Sequence, residues 1–472
     1  MARINTNVGA VIAQRHLGTS YQKLNGSLER LSTGLRINHG KDDPAGLIVS
    51  EQLQSEISAI NQAVRNSQRA SNIIATTEGA LDEVANLLRS MQEKIVEAAN
   101  RGGMSHDEVK ANQLQIDSAV ASITRIANTT TFAGRNLLDG SLDYVTSGVQ
   151  RSDIDSVRVH GAQFGTRSTV PVEIVVTQSA QPATLGFGAS TLPSAVTIEI
   201  AGNLGTTTLS FAAGESAAKI ASAINTVSDA IGVSALLSTP PTAGFRIVSN
   251  KLGSRQFVQV SVLSEDGSFP LTGAANRAVG RDATASVNGA LTLGDGNHLT
   301  LKTSTLDMEV TLNRSMGTGT TSFVITSGGA MFQLGPRVNS NLQIGVGVQS
   351  VSASRLGNND LGFLSQIVTG GEYSLVNNQE RRASAIVNEA IQQISVLRGR
   401  LGAFEKNTLE TNVNQLGITV ENLMASYSTI RDADFAYETS QLTRNQVLVS
   451  SGTSVLGLAN QVPQSVLQLL GR

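Results

Sequence analysis

Two columns of apolar residues run along the last part of the chain, within residues 439–472. Each column repeats every seven residues, as positions on one side of a helix do. The first seam contains Leu442, Val449 and Leu456, and the second seam contains Leu448, Val455, Val462 and Leu469. In a 3.5-residue repeat the two seams lie about 100° apart, so the apolar face is wider than one partner helix covers. Since Arg444 and Arg472 are the only charged residues here, we expect this helix to pack against several others.

The start of the chain carries a matching pattern. Apolar residues step by three or four and predict a long, coiled-coil-like helix, with Ala10, Ala13, Leu17, Tyr21, Leu24, Leu28, Leu31 and Leu35 on its stripe. The stripe stops in residues 36–46, where Asp43 is a good N-cap and Pro44 suits the first position of the next helix. Lys41, Asp42 and Asp43 are better interpreted as a solvated loop and cap than as a metal or catalytic cluster.

Further helices are predicted on both sides of the middle of the chain. A stripe from Leu53 to Leu88 predicts a second helix that ends near residues 102–103, and Ser105 with Glu108 has the spacing of a capping box that opens a third. The helical period returns at residues 390–404 and 409–430. Both ends of the chain are therefore helical, and we expect them to meet so that their stripes are covered.

Between these helices the pattern changes to the period of β-strands. From about Tyr144, apolar and polar residues alternate at 196–200, 258–262 and 306–313, with a short helix predicted at 215–225. The predicted fold class is α+β and multidomain: paired N- and C-terminal coiled-coil-like helices form a helical core, and a β-rich insert lies in the centre.

Composition excludes several classes of function. The net charge is -2 and no Lys or Arg run exceeds Arg381-Arg382, so no electrostatic footprint for nucleic acid or an anionic membrane is present. Cys is absent, and none of the five His residues has the His-Glu-x-x-His spacing of a zinc protease. We expect no cofactor, no metal site and no catalytic residues, because no nucleophile, base and orienting group can be nominated together. A cleaved signal peptide and a membrane span are not expected either.

The two ends of the chain resemble bacterial flagellins. The opening signature is Ile-Asn-Thr-Asn at 4–7, Leu-Ser-Thr-Gly-Leu-Arg-Ile-Asn at 31–38 and Asp-Asp-Pro-Ala-Gly-Leu at 42–47. The closing signature is Ile-Arg-Asp-Ala-Asp-Phe-Ala at 430–436, Gly-Thr-Ser-Val-Leu at 452–456 and Ala-Asn-Gln-Val-Pro-Gln-Ser-Val-Leu at 459–467. Residues 196–262 are similar, more weakly, to a repeat in flagellin and hook-associated inserts.

This resemblance implies a subunit that self-assembles into the flagellar filament used for swimming. It implies an N-terminal inner-tube helix (1–40), a connecting loop (41–46), N-terminal outer-tube helices with a β-hairpin region (47–177), a variable surface insert (178–345), a C-terminal outer-tube segment with a long helix (346–430) and a C-terminal inner-tube helix (431–472). It also implies export without a cleaved signal peptide to an extracellular filament. The implied partners are other copies of the chain, an export chaperone, the filament cap and hook-associated proteins.

Residues on both terminal helices are expected to form the assembly interface. They are Leu17, Leu24, Leu28, Leu31 and Leu35 in the first helix together with the residues of the first and second seams. We also expect the terminal helices to be disordered in the monomer and to fold when copies assemble.

A stretch that an innate immune receptor reads in many flagellins is diverged in this chain. In the family it reads Leu-Gln-Arg-Val-Arg-Glu-Leu, whereas here only Leu88 and Glu93 are kept. The neighbouring Arg89 also differs, while Ser90 replaces a cation and Lys94 replaces an apolar contact. We therefore expect weak activation of that receptor.

Two other functions stay open from the sequence. A hook-filament junction protein of the same family also has paired terminal helices, although the closing signature favours the filament subunit. The insert could instead be an adhesin module displayed on the filament, but the absence of Trp and the presence of only five Tyr argue mildly against an aromatic carbohydrate platform.

Overall fold

A computed structural model describes residues 6–165, 167–238, 244–264, 267–272 and 275–470, with side chains throughout except at 463 and 466–470. The chain divides into two compact units, which are described separately. The first unit contains residues 1–69, 334–337 and 407–472, and the second contains residues 70–333 and 338–406. The first is built from helices, and the second combines helices with a β-rich region.

Eight α-helices are present in the described part of the chain. They are α1 (Val8–Thr33), α2 (Pro44–Ala98), α3 (His106–Thr129), α4 (Ala217–Thr226), α5 (Ser228–Ile231), α6 (Glu380–Phe404), α7 (Thr411–Arg431) and α8 (Phe435–Leu470). The helices at both ends and the strands between them confirm the predicted fold class. The second predicted helix ends a few residues early, at Ala98.

Local side-chain chemistry sets the helix ends. The Asp43 carboxylate accepts a hydrogen bond from the Gly46 N–H at 2.9 Å, which confirms Asp43 as the cap of α2. Ser105 and Glu108 form the predicted capping box at the start of α3. α1 ends because Gly34 takes a left-handed conformation with φ of 72°, and its N–H bonds to the Arg30 carbonyl.

A π-helical segment, Glu405–Glu410, joins α6 to α7. The apolar stripe explains it, because the step from Phe404 to Leu409 is five residues where the rest of the stripe steps by three or four. A π turn takes up the extra residue and keeps Leu401 and Leu409, both almost fully buried, on covered faces.

The described strands number twenty-three. They are β1 (Thr131–Phe132), β2 (Arg135–Asn136), β3 (Tyr144–Ser147), β4 (Ile154–Ala162), β5 (Val170–Gln178), β6 (Thr184–Phe187), β7 (Val196–Gly202), β8 (Thr206–Phe211), β9 (Val233–Leu237), β10 (Phe245–Ser249), β11 (Phe257–Val262), β12 (Leu271–Thr272), β13 (Arg277–Val279), β14 (Thr284–Val287), β15 (Ala290–Leu291), β16 (Leu293–Asp295), β17 (His298–Lys302), β18 (Leu306–Leu312), β19 (Gly319–Gly328), β20 (Ala330–Gln333), β21 (Gln343–Val346), β22 (Gly357–Asn358) and β23 (Gly362–Phe363). All of the paired strands are antiparallel.

Most of these strands build two lobes, each with its own core. The first lobe packs the sheet β15-β14-β5-β19-β3 on the sheet β16-β17-β18-β4. The second lobe packs β12-β6-β10-β9 on β13-β11-β7-β8, and α4 contributes Ile220 and Ile224 to its core. Alternating burial along β7 and β18 follows the period-2 pattern in the sequence.

The second lobe is inserted into the first. The chain forms β3 to β5, leaves to build β6 to β13, and returns at β14 to complete the first lobe. The predicted boundary at residue 178 separates β5 from β14 and β19, yet these three strands pair side by side in one sheet. The first lobe therefore contains residues from both sides of that boundary.

A charged cluster lies where β18 of the first lobe meets α6. Nε2 of His160 is 3.4 Å from Oε1 of Glu309, a long and poorly aligned contact, and Nε2 of His298 is 3.8 Å from Oε2. Arg400 on α6 lies 3.6 Å from Asp307. The pKa of Glu309 is lowered from 4.5 to about 2. The largest cause is the interaction with His160, and the charges of His298 and Arg400 lower the pKa further, although burial opposes this shift.

This cluster predicts a loss of stability in acid. Because the folded-state pKa of Glu309 lies below its unfolded value, its contribution is complete above pH 4.5 and is lost as the pH falls toward 2. We expect Glu309→Gln to destabilise the first lobe at pH 5 by about 2 kcal/mol and to make little difference at pH 2. Unfolding in urea, monitored by the hydrogen exchange of backbone amides in β4 and β18, would measure this difference. Glu173→Gln, at an exposed site of the same lobe, is the control, and an equal pH response in both variants would contradict the prediction.

Candidate assembly surface

The two ends of the chain pair as antiparallel helices. The Asn7 amide donates to the Ala459 carbonyl at 2.7 Å near one end of the pair. Nη1 of Arg30 lies 3.0 Å from Oε1 of Glu438 near the other end. The start of α1 thus lies beside the end of α8, which confirms that the two helical ends meet.

The segments that follow α1 and precede α8 also run together. Leu35 and Asp432 form an isolated antiparallel bridge, and the Arg36 N–H donates to the Arg431 carbonyl at 2.7 Å. Arg431 in turn donates to Glu51 on α2 at 2.6 Å, and this hydrogen bond raises the pKa of Arg431. In the same loop, the backbone N–H groups of His39 and Asn38 donate hydrogen bonds to the Asp42 carboxylate. The bond from His39 is the main reason that the pKa of Asp42 is lowered.

The two seams of α8 lie in different surroundings. The residues of the first seam are half-buried, and they alternate along α8 with Glu438 and Asn445, which contact α1. Three residues of the second seam are exposed: Leu448 to 43%, Val455 to 53% and Val462 to 61%. Leu469 lies outside the residues whose side chains are described. The pairing with α1 thus covers one seam and leaves the other uncovered.

The predicted interface residues of α1 divide in the same way. Leu17, Leu24 and Leu31 are half-buried, whereas Leu28 is 47% exposed. Val8, Val11 and Ile12 are also exposed on this helix. The prediction that the helical stripe continues to Leu35 is wrong, because Gly34 ends the helix and Leu35 lies in the bridge to Asp432. Its half-buried side chain belongs to the loop that follows α1.

Sequence reasoning missed the polar side chains inside the pair. Ser27, Glu438 and Asn445 are each at most 5% exposed, and Nδ2 of Asn445 lies 3.4 Å from Oγ of Ser27. A search for apolar stripes passes over such residues. Their spacing is a signal that could have found them, because Glu438 and Asn445 are seven residues apart.

The diverged receptor stretch lies on α2. Leu88 is fully buried, whereas Arg89, Ser90 and Glu93 are exposed. Lys94 is half-buried, and its Nζ forms an ion pair with Glu97 at 2.8 Å. Leu88 therefore belongs to the core of the helical part, and the surface of this stretch is polar.

Other kinds of site find little support in the described residues. They contain no group of three or more His, Cys, Asp or Glu side chains arranged to hold a metal ion. A search of these same residues for a helix long and apolar enough to cross a membrane also finds none.

Comparisons with known proteins agree on one family. Residues 4–143 match the bacterial flagellin N-terminal helical region, 384–470 match its C-terminal helical region, and 197–251 match the flagellin hook IN motif. The chain is 30% identical to the B-type flagellin of Pseudomonas aeruginosa over 496 aligned residues, and 29% identical to a flagellin of Salmonella rubislaw over 501. Both alignments cover 99% of each chain. Among solved structures, flagellar hook associated protein-3 from Legionella pneumophila aligns at 13% identity and a TM-score of 0.33, covering 80% of this chain and 98% of that one, which is too distant to support an argument.

The two helical ends pair with each other, and the β-rich insert lies between them along the chain, an arrangement that defines a structural protein. The chain belongs to the bacterial flagellin family. It is a subunit of the flagellar filament, and its flagellin relatives form the extracellular filament of swimming bacteria.

Proposed function

We propose that the second seam of α8, together with the exposed apolar residues of α1, is the surface through which copies of this subunit associate. The observation that carries the proposal is the exposure of Leu448, Val455 and Val462 along a helix with almost no charge. Such a contiguous apolar surface is costly in water and is typical of an interaction site. A neighbouring copy can cover it with its own terminal helices. Repeated head-to-tail contacts of this kind extend as a filament rather than closing.

In this proposal the predicted segments keep their roles. Residues 1–40 and 431–472 form the inner tube, 41–46 connect the tubes, 47–177 and 346–430 contribute the outer tube, and 178–345 carry the surface insert. Electron microscopy after seeding or salt addition would test the role of the C-terminal helix. We expect filaments from the full chain and none from a chain that lacks residues 439–472, while filaments from the shortened chain would refute it.

A single charge on the second seam is expected to block assembly. Val455→Asp places a carboxylate where the proposed interface is apolar, so the critical concentration should rise at least about tenfold. Ser450→Asp is the matched control, because it adds the same charge to α8 away from both seams. Sedimentation of polymer across a range of protein concentrations would measure both variants. Equal critical concentrations for the two variants would remove the second seam from the interface.

The terminal helices are expected to become ordered only on assembly. In α1 and α8 together, only Ala13, Ser27, Glu438 and Asn445 are buried among the described side chains, which is little apolar burial to offset the cost of ordering two long helices. We therefore expect amides at 8–33 and 435–470 to exchange rapidly in dilute monomer and to be protected in filaments. Hydrogen–deuterium exchange would show this, with the β-strands of the first lobe as an internal reference. Slow exchange of the terminal amides in the monomer would contradict it.

We infer that the remaining partners are those of an exported filament subunit. An export chaperone would cover the C-terminal helix before assembly, since its second seam is apolar and uncharged. Filament cap and hook-associated proteins would contact the same helical ends at the two ends of the polymer. A hook-filament junction role remains the alternative, and the copy number of the chain in isolated filaments would decide between them.

We expect weak activation of the innate immune receptor that reads the region of Leu88. Ser90 supplies no cation, and Lys94 is held by Glu97, so the stretch lacks two of the family's contact types. Restoring them in Ser90→Arg/Lys94→Leu should raise the potency of purified monomer at least about tenfold in receptor reporter cells. Thr76→Arg, an exposed change on the same helix, is the control. Potent signalling by the unaltered monomer would overturn the expectation.

A further inference from the structure

The side chains of α8 that face α1 form two columns with a seven-residue repeat. One is the first seam, which is made of large apolar residues. The other, here called the polar column, alternates with it at three- and four-residue steps and contains Glu438, Asn445, Gly452 and Ala459. Glu438 and Asn445 are 4% and 5% exposed, so the polar column includes the most deeply buried described side chains of α8.

Each member of the polar column makes a different contact with α1. Glu438 pairs with Arg30 at 3.0 Å, and the Asn445 amide lies 3.4 Å from the Ser27 hydroxyl. A Cβ added at Gly452 would lie 3.1 Å from Cδ1 of Leu17, so only a glycine leaves full room for that leucine. The Ala459 carbonyl accepts the hydrogen bond from Asn7.

The two columns respond differently when one helix slides along the other. A shift of one heptad, about 10.5 Å, places each large residue of the first seam where another large apolar residue was. Apolar packing alone therefore discriminates weakly between registers. The same shift moves Asn445 or Ala459 against Leu17 and separates Glu438 from Arg30.

The separation of Glu438 from Arg30 is costly in a wrong register. Oε2 of Glu438 is buried without a hydrogen-bond partner among the described residues. The negative charge of this carboxylate is therefore compensated by the ion pair that Oε1 forms with Arg30. A buried carboxylate that loses its cation is strongly destabilising. A buried polar residue at one position of a helix pair is a known way to select a single register at some expense in stability.

We propose that the polar column specifies the axial register of α8 against α1, and with it the level at which the second seam is presented to neighbouring copies. The inference rests on the proposed role of this helix pair in assembly. The first seam supplies attraction between the helices, and the polar column decides which of several alignments is used.

Disulfide formation can report the register, because the chain contains no Cys of its own. A Cβ at Gly452 would lie 3.7 Å from Cβ of Leu17, within the range of a disulfide. Leu17→Cys with Gly452→Cys therefore reports the observed register. Leu17→Cys with Ala459→Cys reports a register shifted by one heptad.

Each reporter chain is assembled as a minor fraction with the unaltered protein, so that its neighbours carry no cysteine and every cross-link is internal. Mild oxidation and non-reducing electrophoresis then give the cross-linked fraction. In the unaltered background we expect the observed-register reporter to exceed the shifted reporter at least about tenfold. In a Glu438→Leu/Asn445→Leu background the two should come within about threefold of each other. Thr443→Leu, off both columns, is the control and should keep the original ratio.

The outcomes separate the register inference from the proposed function. If the Glu438→Leu/Asn445→Leu chain enters filaments and keeps the original ratio, the polar column does not set the register, although assembly through the terminal helices stands. If that chain is not incorporated, the exchanged pair Arg30→Glu/Glu438→Arg decides. If this double variant enters filaments and forms the observed-register cross-link, while Glu438→Arg alone forms no such cross-link, the inference is supported. Any other result with this pair overturns it. Failure of even the unaltered chain to polymerise would instead count against the proposed function.

Discussion

The terminal helices carry more apolar surface than they can bury against each other. α8 has two apolar seams about 100° apart, and α1 reaches only one of them. This geometric mismatch cannot be relieved within one chain by repacking, because a helix pair shares a single contact line. The near absence of charge in residues 439–472 removes the repulsion that would otherwise keep identical copies apart.

Attraction and alignment are carried by different side chains in the pair. Leu442, Val449 and Leu456 stabilise the helix pair wherever they meet apolar neighbours, so their packing does not favour one alignment strongly over another. Arg30 with Glu438, and Ser27 with Asn445, contribute less net free energy but tolerate few alternatives. A subunit that must take the same shape in every position of a long polymer needs both kinds of contact.

The sequence predicts local structure well because local chemistry determines it. The spacing of Ser105 and Glu108 is sufficient for a capping box, and the period of apolar residues is sufficient to assign α1, α8 and strands such as β7. The position of the two seams follows from helix geometry alone, and the structure places them in different surroundings. The π segment could also have been read from the five-residue step between Phe404 and Leu409.

What the sequence could not reveal depends on partners far along the chain. Arg30 and Glu438 are 408 residues apart, so neither predicts the burial of the other. The pairing of β5 with β14 and β19 likewise has no local signature, because antiparallel strands of similar composition can pair in many orders. The nested lobes therefore appear in the sequence only as an undivided β-rich stretch.

The nested arrangement has a consequence for how the β-rich region can vary. The chain leaves the first lobe and returns to it at one place, where Gln181 and Arg281 exchange backbone hydrogen bonds of 2.8 and 2.9 Å. Because its entry and exit strands are held side by side, the second lobe is attached like a domain inserted in a loop, an arrangement that tolerates exchange. The second lobe can thus be enlarged, trimmed or replaced by unrelated sequence while the first lobe stays intact.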